Sequence, residues 1–467
     1  MVHVAQDLDT GIPRMSDTEI SVKDLPLGTL VPDAEYNQLL AMAIASTTAG
    51  QALSNDEISR LEQARQKIWS QLTTLKSQGM TEFARHAARQ HGLSLDQDGQ
   101  LEFSWKSVDH RRVGYESNFY TCDLETRSLV PVSLEHPGPR VIVFATGRAF
   151  AEKNARLIHL STNEAIRNAR NVMSAQVYLV GSRLVPGYPE VPVQVVAVAY
   201  DMVTSEVETP AIRIQSILDP DFIHPASQMA AERIFGKLIA DAEFNPNGTF
   251  TRSHGAIQGE PLPGDVILGN LSGLILVGGS VGCSVAHQVF RWLDQMLVEL
   301  GVPTPVREMA KKSCLIINLG PTTVLPVDGC TNRLSVINKF DEFVFAGNDT
   351  AKIIEESETT GSHFVPDRAG EETAGEFPGH SYHVILDAPA TIHHGPGGTV
   401  FDPIGTHFGH SLKHYSNALR NIGLGSVVQR VLNHQGPFVL RDFFTDAQDS
   451  GELQLMTCPS NPTAPAQ

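Results

Sequence analysis

The sequence predicts an α/β protein, a doubly wound and mostly parallel sheet behind an N-terminal helical region. Short β-branched runs recur between helical segments from about residue 100 onward. Most of these runs are apolar throughout, the pattern of strands covered on both faces, whereas half-exposed strands alternate. One of them passes through a glycine-rich turn directly into an amphipathic helix. Strands and helices that alternate in this way bury their apolar faces by layering helices on both sides of a parallel sheet.

Residues 1–100 are assigned to the N-terminal helical region. Ser54-Asn55-Asp56-Glu57 has the Ser-x-x-Glu form of a capping box, and Leu61, Ala64, Ile68, Leu72 and Leu75 follow at helical spacing to give one apolar stripe. A shorter helix runs from about Thr81 to Gln90 and ends near Gly92, a residue suited to the position after a helix. The main domain spans 101–455. Its candidate strands are Arg140 to Ala145, Gln176 to Val180, Val193 to Ala199, Leu271 to Val277, Ser313 to Leu319, Glu342 to Ala346 and Tyr382 to Leu386. Helical segments fall at about 149–170, 226–242, 281–300 and 411–422. Residues 355–380 are polar with scattered glycines and read as a mobile insertion over or beside the site, and residues 456–467 read as a disordered tail.

Composition narrows the function. With 35 Lys and Arg against 52 Asp and Glu among 467 residues the formal charge is −17, and no basic run exceeds Arg111-Arg112 or Lys311-Lys312. A surface that tracks nucleic-acid phosphates needs clustered positive charge, so nucleic acid is not an expected partner. A hydrophobic share of 41% over this length fills a large core, which excludes disorder as the main state. Cys122, Cys283, Cys314, Cys330 and Cys458 are odd in number and widely spaced, without Cys-x-x-Cys, so a reducing compartment is expected. The N-terminal MVHVAQDLDTGIPRMSD has neither a basic nor an apolar signal region, and a cytoplasmic location follows as the expectation. Residues 266–286 are uncharged and long enough to span a bilayer, but Asn270 and five glycines break them, so strand, turn and helix is the reading there. Nothing in the sequence reads out the oligomeric state.

The segment with chemical content is LILVGGSVGCSVAHQVFRWLDQML. Gly278-Gly279-Ser280-Val281-Gly282 fits Gly-x-Ser-x-Gly at a junction of strand and helix, where a serine held in strained backbone is pushed out of the top of the sheet. The backbone N–H of Val281 then lies at a helix N-terminus, suited to an oxyanion. Val285, Val289, Leu293, Met296 and Leu297 give that helix a buried face, and Gly301 with Pro303 closes it. No Gly-x-Gly-x-x-Gly is completed, which weighs against a dinucleotide-binding loop.

This strand, turn and helix resembles the nucleophile elbow of the α/β-hydrolase superfamily, and the alternation from about 140 to 425 has the order of that superfamily. The resemblance implies an ester-cleaving serine hydrolase that acts on a small-molecule or lipid-like ester and needs no cofactor or metal. Ser280 would be the nucleophile. The superfamily's chain order of serine, acid and histidine implies Asp349 as the acid, with Asp328 as the fallback. It also implies His410 or His407 as the base, because both precede a helix expected near Ser411, whereas His414 falls inside that helix. Thr146 or Gly147 would supply a second oxyanion donor beside Val281.

Two rival readings stand beside this one. His380, His383, His393, His394, His407, His410 and His414 crowd the C-terminal part and suggest a metal-dependent hydrolase, although His-Glu-x-x-His is lacking. A catalytically silent hydrolase-like domain, used for binding through its N-terminal helices, is the other.

Overall fold

The structure is a computed structural model that describes residues 4–7, 12–15, 54, 56, 59, 60, 63, 80–90, 92–102, 118–123, 129–132, 134, 137–144, 177, 178, 180–199, 214–216, 218, 219, 221–242, 259–321, 331–338, 350–367, 379–386, 392–395, 398–401, 415 and 422–453. Its main sheet has nine strands. These are β1 (Asn118–Cys122), β2 (Leu129–Pro131), β3 (Arg140–Phe144), β4 (Gln194–Ala199), β5 (Leu274–Gly279), β6 (Cys314–Leu319), β7 (Arg333–Asn338), β8 (Phe364–Pro366) and β9 (Ser381–Leu386). They are ordered β2-β1-β4-β3-β5-β6-β7-β9-β8. The six strands from β4 to β9 in this order pair in parallel. β1, β2 and β8 are each antiparallel to the strand they join, so antiparallel pairing is confined to the two edges.

Helices of this sheet's layers are α2 (Pro225–Ile239), α3 (Gly264–Leu271), α4 (Val281–Glu299), α5 (Thr304–Lys312), α6 (Thr350–Thr360), α7 (Leu424–Asn433) and α8 (Leu440–Asp449), after α1 (Met80–Gln90). Successive side chains of one strand point to opposite faces. Val141, Val143, Ile275, Val277 and Ile317 accordingly join a core with α7 and α8, while Ile142, Phe144, Leu276 and Ile316 join a separate core with α2, α3 and α4. Every residue of β3, β5 and β6 is buried, which is why these strands read as unbroken apolar runs.

Several sequence expectations are corrected. Residues 177, 178 and 180–184 are helical, where a strand over Gln176 to Val180 was expected. Val177, Val180 and Leu184 are all buried at helical spacing, so an apolar face at period 3.6 mimics a strand when the run is short. Leu271 ends α3 and does not begin a strand, because Gly273 turns at φ 69° before β5 starts. The helix expected over 226–242 stops at Ile239, and Ala240–Ala242 pairs with Gly259–Pro261 in a separate hairpin. Two short strands, Val4–Asp7 and Ile12–Met15, pair within the region expected to be helical throughout.

The segment 355–380 is not one irregular insertion: its first part continues α6 and then adds β8 to the sheet edge. Phe364 supplies the reason, packing against Phe444 of α8 with ring centroids 4.5 Å apart and the rings tilted by 48°. β7 was not anticipated, because RLSVIN carries polar residues among its apolar ones. The candidate strand 342–346 and the candidate helix 149–170 lie outside the described residues, as does the tail. Among the described residues no helix is long and apolar enough to cross a membrane.

Cys314 opens β6 wholly buried, and burial pushes its thiol up to about 12. A thiolate is the reactive form, so Cys314 is expected to resist alkylation in the native protein and to label only after denaturation. Peptide mass spectrometry after iodoacetamide treatment checks this. Native labelling of Cys314 at the rate of an exposed thiol would contradict its placement.

Candidate active site

The site begins where β5 ends. Ser280 is the N-cap of α4 with φ 56° and ψ −120°, and it is the one non-glycine residue at positive φ among the described residues. Such backbone costs roughly 1–3 kcal/mol and persists only where its surroundings hold it. Leu319, at the end of β6, does much of the holding: its carbonyl accepts the Ser280 N–H at 3.0 Å and the Cys283 Sγ at 3.5 Å. The Ser280 carbonyl in turn accepts the Cys283 N–H at 3.0 Å. The Ser280 hydroxyl makes no capping bond to its own helix, and the residue is half-buried.

The glycine two positions earlier is a steric requirement. A Cβ on Gly278 would lie 2.5 Å from the Cys283 Cα and 2.6 Å from both the Cys283 N and the Gly282 O. These are backbone atoms, so a side chain there lifts the first turn of α4 off the strand. Gly278→Ala is therefore expected to lose roughly 1–3 kcal/mol of stability. Gly269→Ala, within α3 and with open space around the added methyl, should be neutral or stabilising by up to about 1 kcal/mol. Denaturant unfolding of the two variants checks the contrast, and equal behaviour would refute the tight turn.

Topology puts this turn in a distinctive place. The chain passes from β3 to β4 on one side and then returns to lay β5 on the other side of β3. Ser280 therefore stands at the carboxyl end of the sheet where the strand order reverses, the position at which open α/β sheets form a ligand crevice. Val281 begins α4, a helix of 19 residues whose first N–H groups carry the positive end of the helix dipole. A developing negative charge beside Ser280 would meet these donors.

Beyond the turn, the buried Tyr415 hydroxyl accepts the Asn338 N–H at 3.2 Å and so lies at the carboxyl end of β7. β7 is two strands from β5, about 10 Å across the sheet. The chain position of Tyr415, five residues after His410, is legible in the sequence, but its partner is not.

Of the expected site residues, Ser280 and Val281 are described and adjoin as anticipated. Asp349, Asp328, His407, His410, His414, Thr146 and Gly147 lie outside the described residues. Two members of the histidine cluster have other partners. His380 Nδ1 is 2.8 Å from the Asn332 Oδ1, and His383 Nε2 is 3.3 Å from the Asp367 Oδ1. His393 and His394 lie in a short hairpin, Ile392–Gly395 with Gly398–Phe401. Among the described residues no group of three His, Cys, Asp or Glu could hold a metal ion.

Sequence reasoning missed a buried ion pair at the opposite end of β7. Arg333 and Asp367 meet at 2.7 Å, and both are nearly inaccessible. Burial by itself would push the Asp367 carboxyl up. The positive charge and hydrogen bonds of His383 and Arg333 outweigh it and hold the carboxyl well below the usual carboxylate range. A polar residue inside a strand otherwise read as apolar was the available signal. A groove between α1 and residues 93–99, lined by Arg85, Arg89, Asp96 and Asp98 among others, mixes both charges and includes no residue of the elbow.

Neither the scan against protein-family models nor the search of curated proteins finds a match to this chain.

Proposed function

We propose that this protein is a serine hydrolase of the α/β-hydrolase kind, with a doubly wound sheet, that cleaves an ester by acyl transfer. The observation that carries the reading is the strained backbone of Ser280 at the carboxyl end of a central strand, where the strand order reverses. Non-glycine backbone of this kind concentrates at functional sites, because elsewhere nothing offsets its cost. In the reaction Ser280 attacks the ester carbonyl. A histidine takes the hydroxyl proton and later delivers it to the leaving alcohol, and a carboxylate holds the imidazole tautomer. The Val281 N–H receives the oxyanion, with Thr146 or Gly147 as the second donor.

His410 or His407 is the base, and the Tyr415 hydroxyl at the carboxyl end of β7 supports this, because Tyr415 follows His410 by five residues and its hydroxyl lies at the same end of the sheet as Ser280. Asp349 is the acid first expected. Because β7 ends at Asn338, Asp341, three residues further along the chain, joins Asp349 and Asp328 as a candidate. The test is labelling of the intact protein by a fluorophosphonate, which bonds to an activated serine. Labelling of wild type that disappears in Ser280→Ala supports the proposal, and equal labelling of both overturns it. Asp341→Asn, Asp349→Asn, His407→Ala and His410→Ala then separate the remaining roles by their effect on the labelling rate.

A further inference from the structure

We infer that the sheet encloses a small hydration site beside the elbow, built from Asn318 of β6, Ser335 of β7 and His383 of β9. Asn318 is in register with Ser335, and Ser335 with His383. Residues in register on adjacent parallel strands project to the same face, so the three side chains form one row about 10 Å long. The row continues at Gly278 of β5, two residues before Ser280.

Asn318 is fully buried, and Ser335 and His383 are 4% exposed. Among the described residues neither amide atom of Asn318 has a hydrogen-bond partner, and neither has the His383 Nδ1. The imidazole cannot turn to satisfy Nδ1 without giving up the Asp367 carboxylate held by Nε2. Native interiors avoid three such orphaned atoms in one place unless ordered water meets them.

The row also provides room. Its middle member is serine, the shortest of the three, so a notch opens between the longer asparagine and histidine. One or two water molecules there can accept from the His383 Nδ1–H and the Asn318 Nδ2 and donate to the Asn318 Oδ1. That supplies the two to four polar partners, about the usual number, that a buried water needs. Water suits the row better than an ion, since the neighbouring Arg333 and Asp367 already neutralise each other. The site would brace β6, whose last carbonyl, that of Leu319, anchors Ser280. It does not depend on Ser280 being a nucleophile.

The experiment uses the full chain, with Asn318→Leu and Ser335→Val compared by denaturant unfolding and a crystal structure of the wild type. In a dry interior Leu would remove two orphaned atoms and Val would fill a gap, so both variants would be more stable than wild type. With a hydrated notch each substitution expels water and strands the remaining partners. The expected result is an unfolding equilibrium constant raised about tenfold or more, together with ordered density within hydrogen-bonding distance of the Asn318 amide and the His383 Nδ1. Variants more stable than wild type, or an empty notch in the crystal, overturn the inference. Should the variants fail to fold, the wild-type density decides it alone.

Discussion

Ser280→Ala is expected to abolish fluorophosphonate labelling and to lower ester turnover by on the order of 10^4-fold or more, the scale on which removal of a catalytic serine acts. Ser280→Gly gives the sharper result. Glycine adopts φ 56° without a Cβ penalty, so this variant should be as inactive as Ser280→Ala yet more stable than wild type by roughly 1 kcal/mol. Stability gained as activity vanishes is the signature of strain maintained for function. Thermal or denaturant unfolding of both variants beside the labelling assay makes the measurement. If Ser280→Gly is inactive but no more stable, the backbone carries no strain. If either variant turns over ester like wild type, Ser280 is not the nucleophile.

Asp367→Asn should have the largest effect on the fold, because it leaves the Arg333 guanidinium buried without its counter-charge. Breaking one side of a buried pair typically costs about 3–5 kcal/mol. The pH dependence follows from the direction of the shift. The Asp367 carboxyl is held below its ordinary value of about 3.9 in the folded protein. The contribution of the ionised form is therefore complete above about pH 5 and drains away as pH falls through the carboxylate range toward the folded value. Asp367→Asn should thus be much less stable at neutral pH but lose less further stability between about pH 5 and pH 3. Unfolding series at several pH values check this, and a variant with the wild-type acid slope would show that Asp367 is not the group responsible.

The legibility of the chain followed the environment of each strand. β3, β5 and β6 are covered on both faces, so their burial is written directly into VIVF, LILV and LIIN, and the parallel sheet could be read from them. The elbow was equally legible, because Gly278, Ser280 and the helix that follows are a local steric arrangement of a few consecutive residues. The run Gln176 to Val180 was misread as a strand because a short apolar run fits both periods, and only packing on the α7 and α8 face selects the helix that includes Val177, Val180 and Leu184. β7 was missed because Arg333 and Ser335 interrupt its apolar pattern. The burial of Arg333 is acceptable only with a partner more than thirty residues away in the chain, Asp367, that sequence spacing does not reveal. The same holds for Tyr415 and Asn338, which are 77 residues apart. Local sterics and periodicity thus determined the sheet centre and the serine. Strand order, the reversal point at which that serine stands, and the pairing of buried polar groups were decided by tertiary structure, since each depends on contacts between distant segments whose free energy has no local signature.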